Sequence, residues 1–209
     1  MVQRNRPVQI LLVEDSPGDS WLIADILMSG PIPKKILTMS EGSRALRYLR
    51  AQGEYAGSLR PELVLLDLNL PGTTGLDVLR EIKKDPDLRT LTVIVLTTSD
   101  ANADVNAAYD LNANCYVVKP MDLTTFTEAI RGIEEFWLRV ALLPGAGTRH
   151  FPGSSAEGAP STGNGPVARL CENAPLRFQM AARNGTHSRT GALTRRRLRL
   201  SRRPSFGLR

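Results

Sequence analysis

The chain has 209 residues with a net charge of +6, but the charge is unevenly spread: residues 1–149 hold 16 Lys+Arg against 19 Asp+Glu, and residues 150–209 hold 11 against 2. Any suggestion of a polyanionic partner such as nucleic acid therefore belongs to the C-terminal part alone. Two cysteines, Cys115 and Cys171, are too few and too far apart for a disulfide framework or a CxxC metal site, and no apolar run approaches the roughly 18 residues of a membrane span.

The first apolar run, Val8 to Val13, is interrupted by Gln9 and ends in Glu14-Asp15, unlike a signal peptide, so a cytoplasmic protein is expected. Ile10–Val13 predicts a strand, and residues 17–28 a helix with Leu22, Ile23, Ile26 and Leu27 on one face, stopped by Gly30-Pro31. Ile36–Met39 follows as a second strand and residues 42–50 as a helix facing inward with Ala45, Leu46 and Leu49. Leu63–Leu66 gives a third strand, and residues 75–84, with Leu76, Leu79 and Ile82, a helix ending near Asp85-Pro86. Val93–Leu96 is the fourth strand and residues 101–111 the most weakly patterned helix, with Val105, Ala108 and Tyr109. Tyr116–Val118 is the fifth strand. The last helix, residues 123–138, has Asp122 as cap and Phe126, Ala129, Ile130, Ile133 and Trp137 in a helical stripe.

Three of the strand runs are unbroken aliphatic stretches, as in strands buried on both faces of a parallel sheet. Five β-α alternations predict an α/β sandwich with right-handed crossovers. From Pro144 the pattern stops: residues 144–166 are rich in Gly, Pro, Ser and Ala, and residues 183–209 in Arg. With no apolar period able to offset its ordering entropy, this segment is expected to be disordered.

Ligands of such a sheet bind at the carboxyl ends of its strands. There the sequence places Glu14-Asp15, Asp67, Thr97-Thr98 and Lys119-Pro120. Crowded carboxylates raise one another's pKa unless a cation neutralises them, and an oxygen-only set favours Mg²⁺. Taken alone, Asp67 reads as a loop-start carboxylate and Glu14-Asp15-Ser16-Pro17 as a helix start with Ser16 as cap. Their joint occurrence at successive strand ends points to a site.

Glu14-Asp15, Asp67 with Leu68-Asn69-Leu70-Pro71-Gly72-Thr73-Thr74-Gly75, Thr97, Tyr116 and Lys119-Pro120 together resemble the receiver domain of response regulators. The spacings of 30 residues from Asp67 to Thr97 and 22 from Thr97 to Lys119 are similar to those of that family. The stretches Leu12–Asp19, Leu65–Pro71, Ala113–Pro120 and Phe136-Trp137-Leu138 resemble more narrowly the stand-alone regulators paired with phytochrome-type histidine kinases. The resemblance implies a flavodoxin-like doubly wound five-stranded sheet of order 2-1-3-4-5 over residues 8–144, with residues 145–209 left as a basic tail.

It further implies that Asp67 takes a phosphoryl group from a histidine kinase, with Glu14, Asp15, Asp67 and the backbone carbonyl of Asn69 as Mg²⁺ ligands. Lys119 and Thr97 would then pair with phosphoryl oxygens. Tyr116 is either the switch aromatic or an ordinary core residue, and Lys119-Pro120 resembles a family site with a cis peptide. Asn112 stands where the family usually has Gly, in a place suited to a left-handed cap, and Thr74 replaces the usual apolar residue before Gly75. Phe136-Trp137-Leu138 is either a homodimer contact or a staple of the last helix on its own core. The implied role is a signalling switch rather than an enzyme. An output regulator whose tail binds DNA would need a second folded domain, and a haloacid-dehalogenase-type enzyme would need Asp-x-Asp-x-Thr after the first strand, which is absent.

Overall fold

The computed structural model describes residues 6–144; the expectations for the tail lie outside the described residues. Strand β1 (Val8–Val13) leads through α1 (Pro17–Met28) to β2 (Lys34–Met39), and α2 (Gly42–Leu49) leads to β3 (Leu63–Leu66). Then α3 (Gly75–Lys84), β4 (Thr92–Thr97), α4 (Asn102–Asp110), β5 (Cys115–Val118) and α5 (Leu123–Ile133) complete the alternation. All strand pairs are parallel and the order is β2-β1-β3-β4-β5. This is the order that the resemblance implied.

The aliphatic runs explain the middle of this sheet. All of β3 and β4 is buried, as is β1 except Gln9, so helices cover both faces: α1 and α5 pack together on one, while α2 meets α3 and α3 meets α4 on the other. The edge strand β2 begins two residues before the expected Ile36, because its opening residue Lys34 is buried while Lys35 faces solvent. An edge lysine of this kind also discourages pairing with another sheet.

Local chemistry sets the helix boundaries. Ser16 caps α1 by accepting the Asp19 N–H, Pro17 takes the first turn, and Asp122 caps α5 by accepting the Thr125 N–H at 2.8 Å. Thr74 caps α3 through the Asp77 N–H. The polar residue in place of an apolar one thus starts the helix that follows the Asp67 loop. Asn112 takes φ 64° after α4, where the Ala113 N–H returns to the Ala108 carbonyl. This is the left-handed cap that glycine would otherwise supply.

The last helix departs from expectation. It is α-helical only to Ile133 and continues as wide π turns over Glu134–Val140, closed by the Ala141 N–H on the Phe136 carbonyl at 2.8 Å. Trp137 and Leu138 are buried, and Phe136 meets the Trp137 ring edge-on at 5.1 Å. The helix therefore staples its own core with these residues and exposes Val140 and Leu142 at its end.

The wide turn also buries Glu134. Lys34 Nζ donates to Glu134 Oε1 at 2.6 Å and to the Leu27 carbonyl at 2.5 Å. Arg131 bridges Glu134 to Ser29 Oγ. A Cβ on Gly30 would lie 2.1 Å from the Glu134 carboxylate oxygens, so a side chain there would push this carboxylate from its place beside Lys34. No helix among the described residues is long and apolar enough to cross a membrane.

On the far side of the sheet from the strand carboxyl ends, Lys83 donates to the Leu91 carbonyl at 2.8 Å and to Asn114 Oδ1 at 3.1 Å. Burial pulls its ammonium down to about 8. A lysine whose pKa falls on folding binds fewer protons in the native state between its folded and unfolded values. Stability is therefore penalised below about pH 8, and the penalty lifts as pH rises toward about 10.5. Relative to Lys83→Met, the wild type should gain at most about 1 kcal/mol per pH unit across that window, measured by urea unfolding at stepped pH.

Candidate functional site

The parallel register brings the strand ends together. Val13 pairs with Leu66, and the ladder continues one step as the Asp67 N–H donates to the Val13 carbonyl at 3.0 Å. On the other side the Lys119 N–H donates to the Thr97 carbonyl at 2.7 Å. Glu14, Asp67, Thr97 and Lys119 therefore meet at one edge, all buried, with Asp15 exposed beside them.

Each oxygen of Asp67 is engaged. Oδ1 accepts the Asn69 N–H at 3.1 Å and Oδ2 accepts Lys119 Nζ at 2.8 Å, and the nearby Thr97 hydroxyl also favours the ionised form. Burial alone pushes the Asp67 carboxyl up, but Lys119, the Asn69 N–H and the nearby Thr97 hydroxyl outweigh it and hold Asp67 below its ordinary value. Glu14 goes the other way: burial raises it, with help from the neighbouring charge of Asp67 and against the pull of Lys119. Burial thus prevails at Glu14, with the crowding expected from sequence only a small addition, and is outweighed at Asp67.

Among the groups that outweigh burial there, Lys119 comes first. Its Nζ lies 2.6 Å from Glu14 Oε2, 2.8 Å from Asp67 Oδ2 and 2.9 Å from Asp19 Oδ2. Burial works against the ammonium, yet the three carboxylates hold its pKa above the ordinary range. The Lys119-Pro120 bond is trans, since the described residues contain no cis peptide. This corrects the cis expectation. Trans is the lower-energy form of an X-Pro bond by about 0.5–1 kcal/mol, and Lys119 reaches the carboxylates without the cis bend.

Glu14, Asp15 and Asp67 each offer an oxygen, all within 4.8 Å of one another. An oxygen-only set of three carboxylates suits a hard divalent cation. Asn69 turns its N–H to Asp67 and its side-chain amide to the Thr97 and Thr98 hydroxyls at 3.4 and 3.3 Å.

Tyr116 sits on β5 opposite Val95, on the same face as Thr97 two residues along β4. It is 8% exposed and its hydroxyl donates to the Ser99 carbonyl at 2.9 Å. Burial raises the phenol's pKa. The ring is thus packed against the loop that follows Thr97.

Gly75 fixes that loop's partner. A Cβ there would lie 2.1 Å from the Asp67 carbonyl oxygen and 2.6 Å from Leu68 Cα, both backbone atoms. Gly75→Ala should therefore cost about 2 kcal/mol by overpacking, seen in urea unfolding together with displaced amide resonances of Asp67 and Leu68.

Asp19 was missed as a site residue. The helix-start pattern from Ser16 put it in the first turn of α1, but nothing in the sequence told that its side chain turns toward Lys119, 100 residues away.

The response regulator receiver domain model matches residues 10–131. Response regulator Rcp1 of Synechocystis sp. is 46% identical over 144 residues, which cover 69% of this chain and 98% of that protein. The crystal structure of the Mn²⁺-bound form of Rcp1 aligns with a TM-score of 0.64 over 66% of this chain and 99% of that one. The phosphorylated cyanobacterial phytochrome response regulator RcpA aligns at 0.65, with 46% identity and the same coverage. Strand order, the convergence of acidic and basic groups at the strand ends and these similarities agree: the chain belongs to the response regulator receiver domain family of two-component signalling.

Proposed function

We propose that Asp67 is the phospho-acceptor of a signalling switch, taking a phosphoryl group from a histidine kinase. The observation that carries this reading is the Asp67 carboxylate itself, an anion at the end of a fully buried strand whose position is fixed by Lys119 and Asn69. A carboxylate kept ionised despite its burial and fixed in place is positioned to act as a nucleophile. Lys119 lies where a phosphoryl oxygen on Asp67 would need a counter-charge, and the Thr97 hydroxyl is at hand for a second oxygen.

Glu14, Asp15 and Asp67 would hold Mg²⁺, with the Asn69 backbone carbonyl as a neutral ligand. The cation supplies charge neutralisation for the phosphoryl oxygens. If the Thr97 hydroxyl, which now accepts from the Asn69 amide and the Ser99 N–H, turns to a phosphoryl oxygen, the loop from Thr97 to Ser99 shifts, and Tyr116, bonded to the Ser99 carbonyl, moves with it. That coupling makes Tyr116 the reporter of the phosphorylated state.

The relatives point to the partner: RcpA is named a phytochrome response regulator, which supports a phytochrome-type histidine kinase for this chain. The reading is of a domain over residues 8–144 that signals by binding and has no small-molecule turnover. A homodimer through the last helix would draw on exposed apolar residues such as Leu123, Val140 and Leu142, since Trp137 and Leu138 are committed to the core. The test is phosphoryl transfer to the full chain from a small acyl phosphate or a phosphorylated histidine kinase in Mg²⁺. One base-labile phosphoryl group at Asp67 supports the reading, and a chain that takes no label from any donor defeats it.

A further inference from the structure

One acidic residue beside the site has no place in that chemistry. Asp19 is the third residue of α1, three after its cap Ser16, whose Oγ accepts the Asp19 N–H at 3.3 Å. An acidic side chain at this position ordinarily turns back to the N–H of the cap residue, closing a reciprocal pair of hydrogen bonds. Here that N–H is already taken, because Ser16 donates it to Glu14 Oε1 at 3.1 Å. The Asp19 carboxylate is released from the helix start and reaches Lys119 Nζ at 2.9 Å.

An ammonium has three N–H donors, and those of Lys119 face three carboxylates. The three acceptors are not alike. Glu14 and Asp67 have side chains only 1% and 5% exposed, and with Asp15 they form the set of oxygens within 4.8 Å. Asp19 is 41% exposed and stands outside that set.

We propose that Asp19 is a positioning residue for Lys119, holding its ammonium over Asp67 when a divalent cation draws on Glu14, Asp15 and Asp67. The inference rests on the reading of those three carboxylates as a cation site. An ammonium and a divalent cation compete for the same oxygens, and a buried ammonium stripped of its partners is strongly disfavoured. Asp19 gives Lys119 an anionic partner that the cation does not contest. Without that charge, Lys119 must hold on to Glu14 and Asp67, so the cation binds less well and the ammonium loses its place once the cation is bound.

The test uses the full chain with Mg²⁺ alone and compares wild type with Asp19→Asn, which keeps the side chain's shape, and with Asp25→Asn, which removes an equal charge from an exposed position of the same helix. Two readouts are followed by NMR: Mg²⁺ affinity from the backbone amides of Asp15 and Asp67, and the Lys119 ¹⁵Nζ–H signal, which is seen only while the ammonium is held out of exchange with water. Wild type and Asp25→Asn should keep the Lys119 signal at saturating Mg²⁺. Asp19→Asn should show it without Mg²⁺, lose it at saturation, and bind Mg²⁺ about threefold to tenfold more weakly. That defect should survive about 0.5 M KCl, because Lys119 is buried and a partly buried pair in direct contact is screened much less than separated surface charges. A Lys119 signal that persists in saturated Asp19→Asn, or an affinity defect abolished by salt, overturns the proposal and reduces Asp19 to one more negative charge. Should Mg²⁺ move neither Asp15 nor Asp67 in the wild type, the cation reading itself fails and takes the proposal with it. Equal Mg²⁺ affinity in wild type and Asp19→Asn removes the Asp19 role alone.

Discussion

Asp67→Asn should take up no phosphoryl label in Mg²⁺ from donors that label the wild type. The amide is a poor nucleophile at the position where the end of β3 presents a fixed anion to the site. Thr97→Ala and Lys119→Ala should behave differently. Each keeps the nucleophile and loses one partner of the transferred group, so each should retain part of the labelling while the Tyr116 ring resonances respond less to it. Label counted by intact-mass spectrometry in neutral solution, with loss on brief base treatment, distinguishes an acyl phosphate from a phosphoester. Wild-type labelling of Asp67→Asn would move the acceptor elsewhere in the chain.

The largest stability effect is expected far from this chemistry, at the buried pair Lys34 and Glu134, whose side chains are 1% and 4% exposed. Lys34→Met leaves Glu134 beneath α1 with only the half-exposed Arg131 as counter-charge. Removing one partner of a buried pair costs about 3 kcal/mol or more, which for a domain of this size lowers the melting temperature by about 10 °C. The Lys34→Met/Glu134→Met double variant should recover most of the loss, because no buried charge is then left unpaired. Equal melting of the single variant and wild type would mean that water already reaches Glu134.

Particular residues explain what the sequence could and could not tell. Leu63–Leu66 and Val93–Leu96 have no polar alternation to confuse their reading, and strands buried on both faces are what such runs become in a parallel sheet. The caps Ser16 and Asp122 and the left-handed Asn112 were legible because local chemistry decides them within a few residues. Lys34 and Glu134 were not, since a charged residue in a helix or edge strand reads as solvent-facing and the partner is 100 residues away. The end of the last helix was misjudged as well. The stripe from Phe126 to Trp137 fits an α-helix, and its spacing carries no sign that the turns widen from Glu134 onward.

At the site, the strand ends named the residues that meet, because parallel register leaves few other places for them. Which carboxylates Lys119 would choose was not legible. It depends on the Ser16 N–H turning to Glu14 and so freeing Asp19, a contest between two hydrogen bonds that sequence spacing does not rank. The trans bond before Pro120 was hidden for a similar reason: the two isomers lie close in energy, and the surroundings choose between them.

The ammonium lodged among three carboxylates makes the resting site its own competitor. Any ion that binds there must first loosen Lys119 from Glu14 and Asp67, so a cation alone binds more weakly than three carboxylates would otherwise allow. A phosphoryl group that engages Lys119 loosens the same contacts. The two loads therefore favour each other, and by linkage the factor by which one strengthens the other is the same in both directions. Loading in this domain should be cooperative without any second subunit, with one lysine as the shared term.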